Sequence, residues 1–356
     1  IAAWMHSSGT TGRPKGIVHL HHDMAYSQQS FAAHVLALRE DDICFSVPKI
    51  YFAYGFGNAF TFPFSIGATT LLMPGRPTPD AVLDMIETYR PTVFYGLPTL
   101  YTAICNAPGI AERDLSSLRQ SMSAAETLSE DVFNRWKALT GLPAIEGLGS
   151  TELLHVYLSN TAEEQRLGAA GKAVPGYEIE VRDADGNRVG SGVDGVMYAR
   201  GGSSAPCYWN RPDKTADTMR GDWIHTGDRF VEQDGYYYFQ GRADDLVKVS
   251  GQWVWPLEVE RCLNDHPEVH EAAVLAHELP DRRMTLSAVV TLRKGEGDDG
   301  TARLLQDHVK KSLLPHKYPR RIVFTPDLPK TGTGKIDRQA FLARLTTPVQ
   351  AERATA

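Results

Sequence analysis

The densest chemistry in the sequence lies near its start. His6-Ser7-Ser8-Gly9-Thr10-Thr11-Gly12-Arg13-Pro14-Lys15-Gly16 packs glycines, hydroxyls and a cation into one short stretch. Glycines let a backbone approach a polyphosphate closely, while N–H groups, hydroxyls and Lys15 supply donors and charge. It is not a Walker A loop, because no Gly-Lys-Ser/Thr follows its first glycine at the required spacing. A second unusual run is Tyr51-Phe52-Ala53-Tyr54-Gly55-Phe56-Gly57. Glycines beside rings make room for a flat ligand, and buried aromatics serve core packing as well. His19, His21 and His22 cluster without a Cys or acidic partner at ligand spacing, so a structural role is expected of them rather than a metal.

These residues must be positioned by elements, and the pattern divides into three zones. Up to about residue 166, short apolar runs (68–73, 92–95) alternate with helix-like stretches such as 79–89, which opens on Pro79. Alternation of that kind predicts an α/β layered fold. Between about 168 and 241 the texture is β-rich, with strands expected over 177–182 and 195–200. Turns are expected at Asp185-Gly186-Asn187 and Asp234-Gly235. From 244 a small α+β unit is expected. Its helices are read at 257–264, 301–314 and 338–345, its strands at 271–276 and 287–292, with a turn-rich loop at 330–335 and a disordered tail over 346–356. The domain reading is therefore 1–243 for the large domain and 244–345 for a small mobile one. A glycine-rich motif within the first ten residues, with no preceding strand of any length to anchor it and an initial Ile, gives the expectation that an N-terminal portion is missing.

Composition narrows the partners. The 356 residues carry 37 Lys+Arg against 43 Asp+Glu, a formal charge of -6, so no basic excess points to nucleic acid or an anionic membrane. Any anion must be recognised locally. The most apolar stretch, 60–73, is broken by Pro63 and Gly67 and is too short to span a bilayer. Cys44, Cys105, Cys207 and Cys262 are scattered without a CxxC pair, as expected of buried thiols in a reducing cytoplasm.

Four further segments complete the pattern: Gly149-Ser150-Thr151-Glu152, His225-Thr226-Gly227-Asp228, Gly241-Arg242-Ala243-Asp244-Asp245 running to Gly251, and Pro329-Lys330-Thr331-Gly332-Thr333-Gly334-Lys335. With the first loop, and in this order across nearly the whole chain, they resemble the adenylate-forming superfamily of acyl-CoA synthetases, adenylation domains and luciferases. The resemblance implies that the first loop, Ser7, Ser8, Gly9, Thr10, Thr11, Gly12 and Lys15, wraps the β- and γ-phosphates of ATP. It further places Ala125, Glu126, Leu148 and Gly149 in the nucleotide site. Each implied role suits its residue type. Glu152 offers the hard oxygen ligand that Mg²⁺ needs beside phosphates. Thr151 donates its hydroxyl to the α-phosphate. Asp228 accepts both ribose hydroxyls, and Arg242 presents a planar donor fork. Lys335 stabilises charge that builds when a carboxylate attacks the α-phosphorus. The family's small domain pivots near the residue that is Asp245 here, exchanging Lys335 for a face with Lys248, Ser250 and Gly251 in the thioester step.

Within the superfamily, the aromatic run, residues 94–101 and Leu148 to Glu152 look most like benzoate- and hydroxybenzoate-CoA ligases. The acyl pocket implied is Ala53, Tyr54, Gly55, Leu148, Gly149 and His155, the last equally readable as a core histidine. Two departures stand out: Leu148, where many members carry an aromatic residue, and Trp253 with Trp255, where smaller residues are usual. The expected activity is ATP-dependent aryl-CoA ligation through an acyl-AMP, with Mg²⁺ and with coenzyme A as co-substrate. The expected partners are a small aromatic carboxylate, ATP and coenzyme A, and a homodimer is compatible with them. The alternatives are an aryl-acid adenylation domain that loads a carrier protein, and an inert nucleotide-binding fragment.

Overall fold

The computed structural model describes residues 1–7, 14–125, 128–249, 251–279, 282–328, 336–338 and 340–342, apart from the side chain of Asp244. The chain falls into two compact units, Ile1–Phe239 and Gln240–Ala356, described separately below.

The first unit opens on an antiparallel pair, β1 (Ala3–Ser7) and β2 (Lys15–His19), with Ser7 opposite Lys15. A seven-stranded sheet follows. Its strands are β3 (Ile43–Ser46), β4 (Thr69–Leu72), β5 (Val93–Gly96), β6 (Gln120–Ala124), β7 (Ala144–Gly149), β8 (Val156–Ser159) and β9 (Lys172–Ala173), in the order β4-β3-β5-β6-β7-β8-β9. The first five in that order run parallel, and β8 and β9 run antiparallel. The central strands are buried on both faces, which is why 92–95 reads as a continuous apolar run rather than an alternating one.

Helices cover the parallel part. Pro79–Tyr89 starts as its sequence predicts, with Thr78 Oγ1 accepting the Ala81 N–H at 3.3 Å, and it buries Val82, Leu83 and Ile86. Glu130–Thr140 is capped by Ser129 and stopped by Gly141. It buries Trp136, which stacks on Phe94, meets Tyr101 edge-on and donates its indole N–H to Ser121 Oγ at 2.8 Å. Another apolar cluster joins Phe31, Phe62, Tyr95 and Met122 to Tyr157, Met197 and Phe230.

The last two of those residues belong to the β-rich zone. This is a five-stranded sheet of β10 (Glu178–Arg182), β11 (Asp194–Arg200), β12 (Met219–Arg220), β13 (Trp223–Gln233) and β14 (Tyr236–Arg242), and the division between the units falls within β14. The turn before β14 is the expected one, with Asp234 and Gly235 both at positive φ, 53° and 80°.

The second unit contains a hairpin, β15 (Val247–Val249) with β16 (Gln252–Val254), and a three-stranded sheet of β17 (Val269–Glu278), β18 (Met284–Leu292) and β19 (Arg321–Phe324). Helices Pro256–Asn264 and Asp299–Ser312 bury Val259, Leu263, Leu305 and Val309 in a core shared with β17 and β18. The expected helix at 338–345 is helical at 338 and 340–342, and its remainder and the expected tail lie outside the described residues. The fold class is thus α/β in the first unit with a β subdomain, and α+β in the second. Cys44, Cys105 and Cys262 are buried, Cys207 half-buried, and all four are free thiols. Among the described residues no helix is long and apolar enough to cross a membrane.

Candidate active site

The site grows from where β7 ends. Ser150 leaves the strand in extended geometry and its Oγ accepts the Leu153 N–H at 3.3 Å, which starts a short 3₁₀ turn, Thr151–Leu153. The turn is held from behind. Its Glu152 carbonyl accepts the Ala205 N–H at 2.8 Å, and its Leu153 carbonyl accepts the Ser203 hydroxyl at 2.8 Å. With backbone fixed, the Glu152 carboxylate points to Tyr208, whose hydroxyl donates to Oε1 at 2.7 Å. The Tyr208 ring also carries Lys15, with Nζ 4.5 Å from its centroid. Tyr208 reaches this place because 207–209 runs antiparallel beside β2: Val18 N–H donates to the Cys207 carbonyl and Trp209 N–H to the Gly16 carbonyl. Lys15, Tyr208 and Glu152 therefore form one contiguous row. Of the first loop, Ser7 and Lys15 are its two ends, paired across β1 and β2, while Ser8, Gly9, Thr10, Thr11 and Gly12 lie outside the described residues.

Asp228 owes its placement to a bulge. Along β11 the register advances from Val196 to Tyr198, while along β13 it moves from Arg229 to His225, so β13 carries two extra residues there. Gly227 adopts φ 73° at the bulge, and Thr226 stitches it: its hydroxyl donates to the Met197 carbonyl at 2.9 Å and accepts the Asp228 N–H at 3.1 Å. The sequence reading found the residues of this segment but not the bulge. Gly227 is its signal, since a glycine within a strand run marks a bulge or a close approach.

The aromatic run folds into a helical turn, Ala53–Phe56, continued by a π-helical turn, Gly57–Thr61. Turns of that kind recur at functional sites. Gly57 is required there: a Cβ would lie 2.4 Å from His155 Cδ2. His155 is buried between Phe31 and Phe62, with Tyr54 beside it, the centroids 5.2, 4.6 and 5.6 Å away. Its Nε2 donates to the Tyr54 carbonyl at 3.2 Å, and Nδ1 is a buried atom with no hydrogen-bond partner. Burial drives its pKa down to about 3, so the ring is neutral at physiological pH. The structure thus sets His155 against Tyr54, as a pocket role requires, and among Phe31 and Phe62, as a core role requires. Tyr54 and Leu148 pack on the same apolar cluster. The Tyr54 hydroxyl donates to the Met122 carbonyl at 3.3 Å, and burial raises its pKa. The Asn58 amide, fully buried in the π-helical turn, has neither atom hydrogen-bonded.

Sequence reasoning missed three residues. Tyr208 has no spacing that ties it to Glu152, 56 residues away. Glu146 is buried on β7, and its Oε1 accepts the Leu128 N–H at 2.8 Å. Ala125 itself has φ 78°, and Glu126 lies outside the described residues. The third is Asp23. The histidine cluster does have an acidic neighbour, because Asp23 Oδ2 accepts from His19 Nδ1 at 2.9 Å, four residues away. That partnership serves a hydrogen bond, and no group of three or more metal-ligating side chains occurs among the described residues.

In the second unit, Arg242 ends β14, and Asp245 closes a 3₁₀ turn, Ala243–Asp245. Lys248 faces Trp253 across the hairpin, its Nζ 5.7 Å from the ring centroid, and Gly251 turns at φ 82°. Ser250 and Lys335 lie outside the described residues. Of the described residues on either side of Lys335 in the sequence, Leu328 and Phe341 share one apolar cluster, and Arg338 donates to the buried Glu260 carboxylate at 2.7 Å.

Comparison with known proteins gives the family. The profile of the AMP-binding enzyme family matches residues 1–209, and that of the AMP-binding enzyme C-terminal domain matches 258–335. The chain is 46% identical to the benzoate–CoA ligase of Thauera aromatica, over 94% of this chain and 64% of that protein. It is 41% identical to the 4-hydroxybenzoate–CoA/benzoate–CoA ligase of Rhodopseudomonas palustris, over 95% and 63%. The structure superposes on a benzoate CoA ligase from Burkholderia xenovorans with a TM-score of 0.87 at 42% identity, covering 95% of this chain and 68% of that one. The chain spans just under two thirds of the length of these two curated relatives. On the profile match and the site that its residues build, the chain belongs to the AMP-binding enzyme family.

Proposed function

We propose that the chain serves an ATP-dependent aryl-CoA ligase of the benzoate or hydroxybenzoate class, which forms an acyl-AMP and then a thioester with coenzyme A. The observation that carries this reading is that one short stretch, 148–155, serves two sites. Glu152 meets the row of Lys15 and Tyr208, while Leu148 and Tyr54 pack on one apolar cluster and His155 lies beside Tyr54. A carboxylate seated on the aromatic side would lie next to the group it attacks, and holding reactants in that way contributes much of the rate. The relatives named for benzoate and 4-hydroxybenzoate support the aryl assignment.

The residues fit a magnesium–nucleotide complex. Glu152 is a hard carboxylate that, among the described residues, belongs to no group of three or more metal-ligating side chains, which suits a cation held mainly by phosphate oxygens and water. Mg²⁺ would supply charge neutralisation on the phosphates. Lys15 adds fixed positive charge beside them, Asp228 accepts the ribose hydroxyls, and Arg242 donates to the ribose or α-phosphate. The small domain, 244–345, pivots at Asp245 to bring Lys335 for adenylation, then Lys248, Ser250 and Gly251 for thioester formation.

Pyrophosphate exchange tests the reading across benzoates, cyclohexanecarboxylates and short fatty acids. Benzoate is expected to lead; a faster reaction with hexanoate would remove the aryl assignment. Free CoA-thioester as product, rather than a labelled carrier protein, separates the ligase from a carrier-loading domain. Glu152→Gln is expected to raise the Mg²⁺ needed for half-maximal exchange about tenfold, the loss of about 1.4 kcal/mol of ligation. An unchanged Mg²⁺ titration would make Glu152 structural.

A further inference from the structure

His19 stands outside every role assigned above, yet its side chain is fully buried and both its ring nitrogens are engaged. Nδ1 lies 2.9 Å from Asp23 Oδ2, and Nε2 lies 2.7 Å from the backbone carbonyl oxygen of Thr151. A carbonyl only accepts, so Nε2 is a donor toward Thr151. Asp23 is itself buried and fixed, because the same Oδ2 accepts the Leu20 N–H at 2.9 Å. The Thr151 carbonyl also accepts the Leu154 N–H at 3.1 Å, which closes the 3₁₀ turn. His19 is the last residue of β2, the strand that begins with Lys15.

We infer that His19 is a positioning residue that, through its Nε2 donor to the Thr151 carbonyl, fixes the Thr151–Glu152 turn to the strand carrying the phosphate loop. The inference rests on the proposed roles of Thr151 and Glu152 toward the magnesium–nucleotide complex. His19 touches neither substrate nor metal in this scheme. It acts through one carbonyl, and so sets the distance between Lys15 on β2 and the Glu152 carboxylate on the turn. Groups that orient a metal ligand without binding the metal are commonly worth about 10- to 100-fold in affinity or activity.

Two near-isosteres separate this role from general packing. Glutamine carries its amide nitrogen close to the Nε2 position, so His19→Gln keeps the donor to Thr151 and loses the bond to Asp23. Asparagine carries its nitrogen close to Nδ1, so His19→Asn keeps Asp23 and loses Thr151. Calorimetric titration of the full chain with Mg·ATP is expected to find His19→Gln within about 3-fold of the parent and His19→Asn weaker by about 10- to 100-fold. In pyrophosphate exchange, kcat should follow the same order with the KM for benzoate unchanged. Parent-like binding by His19→Asn, or an equal loss in both variants, overturns the inference. Melting curves establish that each variant folds. Should His19→Asn not fold, Asp23→Asn is the second test: it leaves the Nε2 bond in place and is expected to stay within about 3-fold of the parent, on the same scale. A loss of tenfold or more there overturns the inference, because the pair would then act other than through Thr151. A parent protein that binds Mg·ATP but exchanges no pyrophosphate with any acid counts against the ligase reading alone, and the order of the affinities still decides on His19. A parent that does not bind Mg·ATP overturns both.

Discussion

Lys335→Ala is expected to suppress acyl-AMP formation by about 100- to 1,000-fold, roughly 3–4 kcal/mol, while leaving conversion of supplied benzoyl-AMP to the CoA thioester close to normal. Attack of a carboxylate on the α-phosphorus builds negative charge on the phosphoryl oxygens. A cation placed there stabilises the transition state more than the ground state, so its removal lowers kcat rather than binding alone. Among the described residues on either side of Lys335 in the sequence, Leu328 and Phe341 lie in one buried cluster and Arg338 pairs with Glu260. Thioester formation has no pyrophosphate to expel and does not need that cation. The two half-reactions are measured separately, as pyrophosphate exchange and as thioester release from synthetic benzoyl-AMP. Equal losses in both would end the proposed division of labour between the two poses of the small domain.

The second large effect concerns stability. Burial raises the Glu146 carboxyl to about pH 7, with desolvation outweighing the hydrogen bond from Leu128 N–H. A group whose folded pKa lies above its unfolded value of 4.5 contributes stability fully present below pH 4.5. That contribution is lost as pH rises toward 7, because the unfolded chain ionises while the folded one holds its proton. The difference amounts to about 3 kcal/mol once both forms are ionised. Glu146→Gln keeps an acceptor for Leu128 and cannot ionise. Relative to the parent, it should therefore gain about 3 kcal/mol in unfolding free energy between pH 4.5 and 8. Urea unfolding of both proteins at the two pH values checks this, and a difference that does not vary with pH would show that Glu146 reaches water.

How much of this was legible beforehand depended on the range of the interactions. The helix at Pro79–Tyr89 was readable to the residue because its signals, Thr78, Pro79 and the apolar spacing of Val82, Leu83 and Ile86, are local. The turn at Asp234-Gly235 was readable for the same reason. Both edges of β17 and the first edge of β18 were read short, since pairing across the ladder extends Val269–Glu278 and Met284–Leu292 beyond their apolar centres. The site was legible as a set of segments but not as a geometry. Nothing along the chain ties Tyr208 to Glu152, or Glu146 to Leu128, because sheet order and not sequence spacing makes them neighbours. The bulge at Gly227 had a local clue, but its size is set by the partner strand β11.

The bond from His19 to the Thr151 carbonyl closes a loop of 132 residues. Contacts so distant in sequence have to meet the entropy of loop closure before they gain anything, and chains dominated by them fold slowly. The chain between the two residues contains β3 to β7, so the contact that holds the Glu152 turn to β2 is of the long-range kind. Under the proposed function, affinity for the nucleotide is therefore expected only of a chain whose sheet is complete.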